Sequence, residues 1–166
     1  MITIEGKELE MAMLYFNKAA EIARKNSRCL KSKRGVVIVD DGEIIGEGYN
    51  SPPREKDICV HCMRDYFKNC TSTTEPCRAI HAEERAILDA FKKQKNLEGS
   101  VMYHVKVKND VIVPSTIPSC TICSKLVEEL DISFVMLTKE GVFQYLSEEF
   151  NQLSFEYAWK QLNNVK

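Results

Sequence analysis

Gly35-Val36-Val37-Ile38-Val39-Asp40-Asp41-Gly42-Glu43-Ile44-Ile45-Gly46-Glu47-Gly48-Tyr49 decides the fold. Val36 to Val39 is an unbroken apolar run. A strand wetted on one side alternates, so this run predicts a strand covered on both faces. Asp40-Asp41-Gly42 is a hairpin signal, because glycine accepts positive φ. Glu43 to Tyr49 is then the second strand, antiparallel to the first. A sheet covered on both sides needs helices in front and behind, and the flanking sequence supplies them.

Upstream, Lys7 to Lys25 repeats Leu9, Met13, Phe16, Ala20 and Ile22 or Ala23 at helical steps. Downstream, a helix is predicted from about Ile80 to Lys95, with Ala82, Ala86, Ile87, Ala90 and Phe91 on its packed face. Lys92-Lys93-Gln94-Lys95 complements the negative end of that helix, and Asn96 and Gly99 stop it. Val101 to Val107 reads as a strand, and alternation around Asn109-Asp110 as a hairpin. His104 reads as a strand surface residue. Thr121 to Leu130 reads as a helix burying Ile122, Leu126, Val127 and Leu130, followed by a strand from Ile132 to Leu137. Strand, helix, strand over 101–137 implies a right-handed crossover and a parallel pair. After Gly141, two amphipathic helices are expected, one through Val142, Phe143, Tyr145, Leu146 and Phe150, the other through Leu153, Phe155, Tyr157, Trp159 and Leu162. The prediction is an α/β chain: a three-layer α/β/α sandwich with a mixed central sheet.

The 166 residues suit one domain, 1–166, with a cysteine-rich insertion at about 54–80. A net charge of −1 gives no global attraction to nucleic acid. Met1 to Gly6 lacks a basic and apolar leader pattern, and no apolar run approaches a membrane span. A cytoplasmic protein is expected. The seven cysteines (Cys29, Cys59, Cys62, Cys70, Cys77, Cys120 and Cys123) then favour metal sites over disulfides.

His81-Ala82-Glu83 and Pro118-Ser119-Cys120-Thr121-Ile122-Cys123 carry the chemistry. One histidine and two cysteines suit a catalytic zinc, with the fourth tetrahedral position left for water. The metal lowers the pKa of that water towards neutrality. Glu83, two residues from the histidine, can take the water's proton and return it to a leaving group. Both helix starts favour negative charge on the carboxylate and the thiolates. Glu84 reads as a salt-bridging surface residue.

These motifs, with Gly35-Val36-Val37-Ile38-Val39 and Gly48-Tyr49-Asn50 in the same order, resemble the zinc-dependent cytidine/deoxycytidylate deaminase superfamily over roughly 10–137. Gly48-Tyr49-Asn50-Ser51-Pro52-Pro53-Arg54 looks most like the deoxycytidylate branch. The resemblance implies zinc on His81, Cys120 and Cys123, Glu83 as proton carrier, and substrate contacts from Asn50 and Ala82. It implies conversion of a cytosine nucleotide to the uracil nucleotide, dCMP to dUMP in type, by a homo-oligomer without organic cofactor. Alternatives are deamination of another base, including tRNA adenosine, and a zinc-stabilised scaffold without activity.

Two departures from the family stand out. Ser119 separates Pro118 from Cys120, where the proline normally abuts the cysteine. The stretch from Val105 to Pro114 lengthens the connection before it, bringing either a substrate contact or a subunit contact.

Three readings stay two-sided. Asn50 either meets the sugar or caps a turn. Arg24, Lys25, Arg28, Lys31, Lys33 and Arg34 form either a solvated loop or a clamp for phosphate. Cys59, Cys62, Cys70 and Cys77 hold either a structural zinc, which the resemblance supports, or free thiols, with Cys29 and His61 as rival ligands.

Overall fold

The structure, a computed structural model, describes residues 1–55, 61–62, 77–115 and 118–163. Its elements in order are β1 (Ile2–Thr3), α1 (Gly6–Asn26), β2 (Lys33–Asp40), β3 (Glu43–Tyr49), α2 (Ala82–Lys92), β4 (Val101–Lys108), β5 (Val111–Val113), α3 (Thr121–Glu129), β6 (Ser133–Leu137), β7 (Val142–Tyr145) and α4 (Ser147–Asn163). The strands form one sheet in the order β1-β7-β6-β4-β2-β3, with β5 paired to β4. Among the described residues only β4 and β6 run parallel, through Val101↔Ser133 to His104↔Met136, so the sheet is mixed as expected.

Parity along the central strands divides the core. Val37 and Val39 turn to one face, where Ala12, Phe16, Ala19, Ala20 and Ala23 of α1 cover them. Val36 and Ile38 turn to the other, against Ala82, Ala86 and Ala90 of α2, Val127 of α3 and Phe150 of α4. The apolar run is therefore buried on both sides, and the three layers follow. The predicted turn is present: Asp41 and Gly42 have φ of 46° and 81°, the left-handed pair that a two-residue hairpin needs. Asn109 and Asp110, at φ 51° and 60°, make the β4–β5 hairpin in the same way.

One close approach positions everything that follows. A Cβ at Gly48 would lie 2.0 Å from the backbone oxygen of Ala82 and 2.5 Å from the nitrogen of Ala86. Only a glycine lets the first turn of α2 lie down on β3 there.

Four expectations are corrected. Phe91, expected on the packed face of α2, is exposed, and the buried stripe ends at Ala90. Val142 to Tyr145 is a strand, not part of a helix; it continues the β6 hairpin through Leu137↔Val142 and Phe134↔Tyr145. Its β-branched and aromatic residues follow Gly141 at φ 141°, and that break favours a return strand over a helix. A single helix, α4, follows, its entry fixed by the Leu146 N–H donating to Glu149 Oε2 at 3.0 Å. On α3, Val127 is buried, whereas Ile122 and Leu126 are 43% and 38% exposed. The buried stripe passes instead through Cys123, Ser124 and Val127. His104 is not on the surface: it is 4% exposed.

Candidate metal centre and catalytic carboxylate

α2 and α3 begin on the same face of the sheet, and each brings candidate ligands from its start. His81 is the residue before the first helical turn of α2, in extended conformation with φ −69° and ψ 155°. Its N–H donates to Glu84 Oε2 at 2.9 Å. Glu84 is thus one half of a capping box rather than a surface salt bridge. Cys120 is the corresponding residue of α3, and its sulfur accepts from the Cys123 N–H at 3.5 Å.

The three side chains converge. His81 Nδ1 lies 3.2 Å from Cys123 Sγ and 3.3 Å from Cys120 Sγ, and the two sulfurs are 3.4 Å apart. Ligands at zinc distances of about 2.3 Å for sulfur and about 2.0 Å for nitrogen, set at tetrahedral angles, stand roughly 3.5–3.8 Å apart. The observed triangle is within a few tenths of an ångström of that. Among the described residues, this is the one group of three or more such side chains with metal-binding geometry. Its proton inventory fits as well. The hydrogen bond to Cys120 raises His81 to about 9. Bonding to Cys123 lowers Cys120 to about 5, while the same contact and burial push Cys123 up. The three groups compete for protons at one point in space, where a single divalent cation can replace those protons.

Glu83 sits in the first turn of α2 and is 6% exposed. Burial pushes its carboxyl up, but the imidazoles of His104 and His81 and a hydrogen bond from Ser119 reverse the sign and leave it below the usual carboxylate range. The Ser119 hydroxyl donates to Glu83 Oε1. His104 Nε2 stands 4.0 Å from the same oxygen and 3.4 Å from a guanidinium nitrogen of Arg34. Burial, followed by Arg34, holds His104 down to about 4 against the pull of Glu83, so it is neutral at pH 7.

Asn50 is buried and engaged. Its Oδ1 accepts from the Arg34 N–H at 2.7 Å and the Ser27 hydroxyl at 2.7 Å, and its Nδ2 donates to the Ser32 carbonyl at 3.0 Å. It ties the 27–34 connection to the end of β3. Ala82 is buried at the start of α2, over Gly48.

Sequence reasoning missed Arg85. Its guanidinium donates to the carbonyls of Tyr49, Ser51 and Pro52 at 2.9, 2.9 and 3.3 Å and covers the Tyr49 ring at 4.6 Å. One turn beyond His81, it binds the 49–52 loop to α2. The reachable signal was an arginine on the buried side of a predicted helix. Of the proposed second metal set, Cys59 and Cys70 lie outside the described residues; Cys62 and Cys77 are half-buried and outside any disulfide.

A family model described as "Cytidine and deoxycytidylate deaminase zinc-binding region" matches residues 9–139. The chain is 30% identical over 125 residues to the deoxycytidylate deaminase of Schizosaccharomyces pombe, covering 74% of this chain and 35% of that protein. It is 31% identical over 137 residues to the deoxycytidylate deaminase of Mycobacterium phage D29, covering 76% of this chain and 94% of that one. The chain thus spans about a third of the fission-yeast relative's length and nearly all of the phage relative's. The crystal structure of the dCMP deaminase of cyanophage S-TIM5 in complex with dCMP and dUMP shares the fold, with a TM-score of 0.52 at 20% identity over 78% of this chain and 83% of that one. The matched region contains the whole His81, Cys120 and Cys123 triangle and strands β2 to β6 of the sheet beneath it, and the chain belongs to the cytidine and deoxycytidylate deaminase zinc-binding family.

Proposed function

We propose that the chain is a zinc-dependent hydrolase that converts dCMP and water to dUMP and ammonia. The observation that carries this is the buried Glu83 carboxylate beside a one-histidine, two-cysteine triangle of metal-binding size. A site that only stabilised the fold would gain nothing from a buried acid there. His81, Cys120 and Cys123 hold the zinc. Bound zinc supplies a water acidified to near-neutral pKa. Glu83 accepts a proton from the attacking water and passes it to the ring nitrogen; it then takes the proton of the hydroxyl newly bonded to the base carbon and delivers it to the departing amine, leaving the carbonyl. Its ionised state in the fold suits it to begin as base. Ala82 and Asn50 are the proposed substrate-site residues, Ala82 as a contact at the start of α2 and Asn50 as a positioning residue that fixes the end of β3.

The substrate class follows from the deoxycytidylate deaminases among the relatives. Within the chain we assign a single deaminase domain over 1–166. A structural zinc on Cys59, Cys62, Cys70 and Cys77 of the 54–80 insertion rests on ligand spacing; two zinc ions per chain by metal analysis support it and one removes it. Assembly into a homo-oligomer is supported by Leu88 and Phe91 of α2 and Ile122 and Leu126 of α3, all exposed on the same side of the sheet. Among the described residues no helix is long and apolar enough to cross a membrane; action in the cytoplasm is proposed on the cysteine usage of the chain. Ammonia release from cytosine, cytidine, deoxycytidine, their mono- and triphosphates, and tRNA tests the assignment. Turnover greatest on dCMP is expected. Release only from tRNA, or from none of them by zinc-loaded protein, overturns it.

A further inference from the structure

We propose that Ser119 is a positioning residue for the proton-carrying carboxylate: its hydroxyl clamps one oxygen of Glu83 and reserves the other for proton transfer. The inference rests on the deaminase reading above.

Two contacts on Glu83 fall on the same atom. The Ser119 hydroxyl donates to Oε1, and the buried ring of His104 stands 4.0 Å from Oε1. The three residues come from separate places: the first turn of α2, the approach to α3, and the middle of β4. Each is held independently. Glu83 is on a helix laid tightly over Gly48. Ser119 immediately precedes Cys120, whose sulfur is fixed as the cap of α3. His104 is fixed by its pairing with Val36 and Met136. At 4.0 Å the imidazole is beyond a hydrogen bond, so it walls the carboxylate in and the hydroxyl makes the directional contact.

The chemistry gives that contact a use. A carboxylate that takes a proton at one place and releases it at another has to keep an oxygen within hydrogen-bond reach of both. A free glutamate rotates about its terminal torsion and presents either oxygen. A hydroxyl bonded to Oε1 removes that freedom. It serves equally when the carboxylate is ionised and when the other oxygen carries the proton, because Oε1 stays an acceptor in both states. Ser119 is also joined to Cys120, so the clamp moves with the metal ligands. A proline at that position has neither hydroxyl nor N–H with which to make it.

The test uses the zinc-loaded wild type with Ser119→Ala and Ser119→Thr. For Ser119→Ala, kcat on dCMP is expected to fall about 10-fold or more, with KM within about twofold and zinc content unchanged. Ser119→Thr, which keeps the hydroxyl, is expected to restore most of kcat. Unchanged kcat in Ser119→Ala, or a loss explained by missing zinc or by KM alone, overturns the proposal. Absence of ammonia release from the wild type defeats the deaminase reading instead, and crystal structures of the same proteins then judge the clamp. A Ser119 hydroxyl bonded to Glu83 in wild type, with the carboxylate in several orientations in Ser119→Ala, supports it. A hydroxyl turned away from Glu83 in the zinc-loaded wild type overturns it.

Discussion

The two faces of the sheet are built to different rules. Under α1 the packing is apolar, with Phe16 edge-on to Tyr103 at 5.8 Å between ring centres and alanines filling the rest. Under the starts of α2 and α3, the same strands bury a carboxylate, an imidazole and a ligand cysteine. The first face gains free energy by excluding water. The second gives some of that up to hold polar groups in fixed places. Stability and activity should therefore separate by face.

Four substitutions probe that separation, taken from the largest effect down. On the site face, Glu83→Gln is expected to lower kcat by about 10³-fold or more, roughly 4 kcal/mol of barrier, with zinc content retained and Tm at most slightly lowered, because the amide keeps the shape of a carboxylate that the fold holds ionised. Full activity would remove Glu83 from its role. On the α1 face, Phe16→Ala is expected to cost about 3–4 kcal/mol of stability in denaturant titration, while kcat per folded molecule stays at the wild-type value. A proportional loss of kcat would mean the faces are coupled. Gly48→Ala crosses the divide: a methyl group 2.0 Å from the Ala82 oxygen must lift the first turn of α2. Expected are about 2–3 kcal/mol of lost stability and a drop in kcat of about 10-fold, read from the same titration and assay.

The smallest effect is a pH dependence. His104 titrates near 6.5 when unfolded and is held to about 4 in the fold, facing Glu83, Arg34 and, further off, His81. Between those values the unfolded chain binds the proton and the folded one does not. The stabilisation is therefore fully present above about pH 6.5 and is lost as pH falls towards 4. Wild type should lose about 2 kcal/mol more than His104→Gln between pH 7 and 4.5. Zinc-ligand protonation is common to both proteins and cancels. Equal losses would show that the ring is not held neutral by its surroundings.

The sequence made the site face readable where a motif crosses it and unreadable where ordinary strand rules apply. The convergence of His81, Cys120 and Cys123, with Glu83 beside them, was legible because metal-binding side chains come at a fixed spacing. Val36 to Val39 was legible because only a doubly covered strand is apolar at every position. His104 was not. It shares its side of β4 with Met102, Lys106 and Lys108, and two lysines make that side look wet. Exposure in fact rises along the strand, from buried at His104 to half-buried at Lys106 and exposed at Lys108, because the helical cover ends between the first two. Strand parity fixes which side a residue faces, but it does not say how far a distant helix reaches. The 142–145 strand was missed for a related reason: apolar residues at 142, 143, 145 and 146 satisfy both helical and strand spacing, and the choice was made by pairing with β6.

The capping position that each ligand helix gives to a metal ligand has a consequence for assembly of the chain. His81 and Cys120 come together only after β4, β5 and the approach to α3 have been laid down between them. Neither helix alone offers more than two ligands, so tight metal capture reports that both βα units have docked. Zinc then rewards the finished arrangement and no earlier one, and the melting point of the protein becomes a function of free metal concentration.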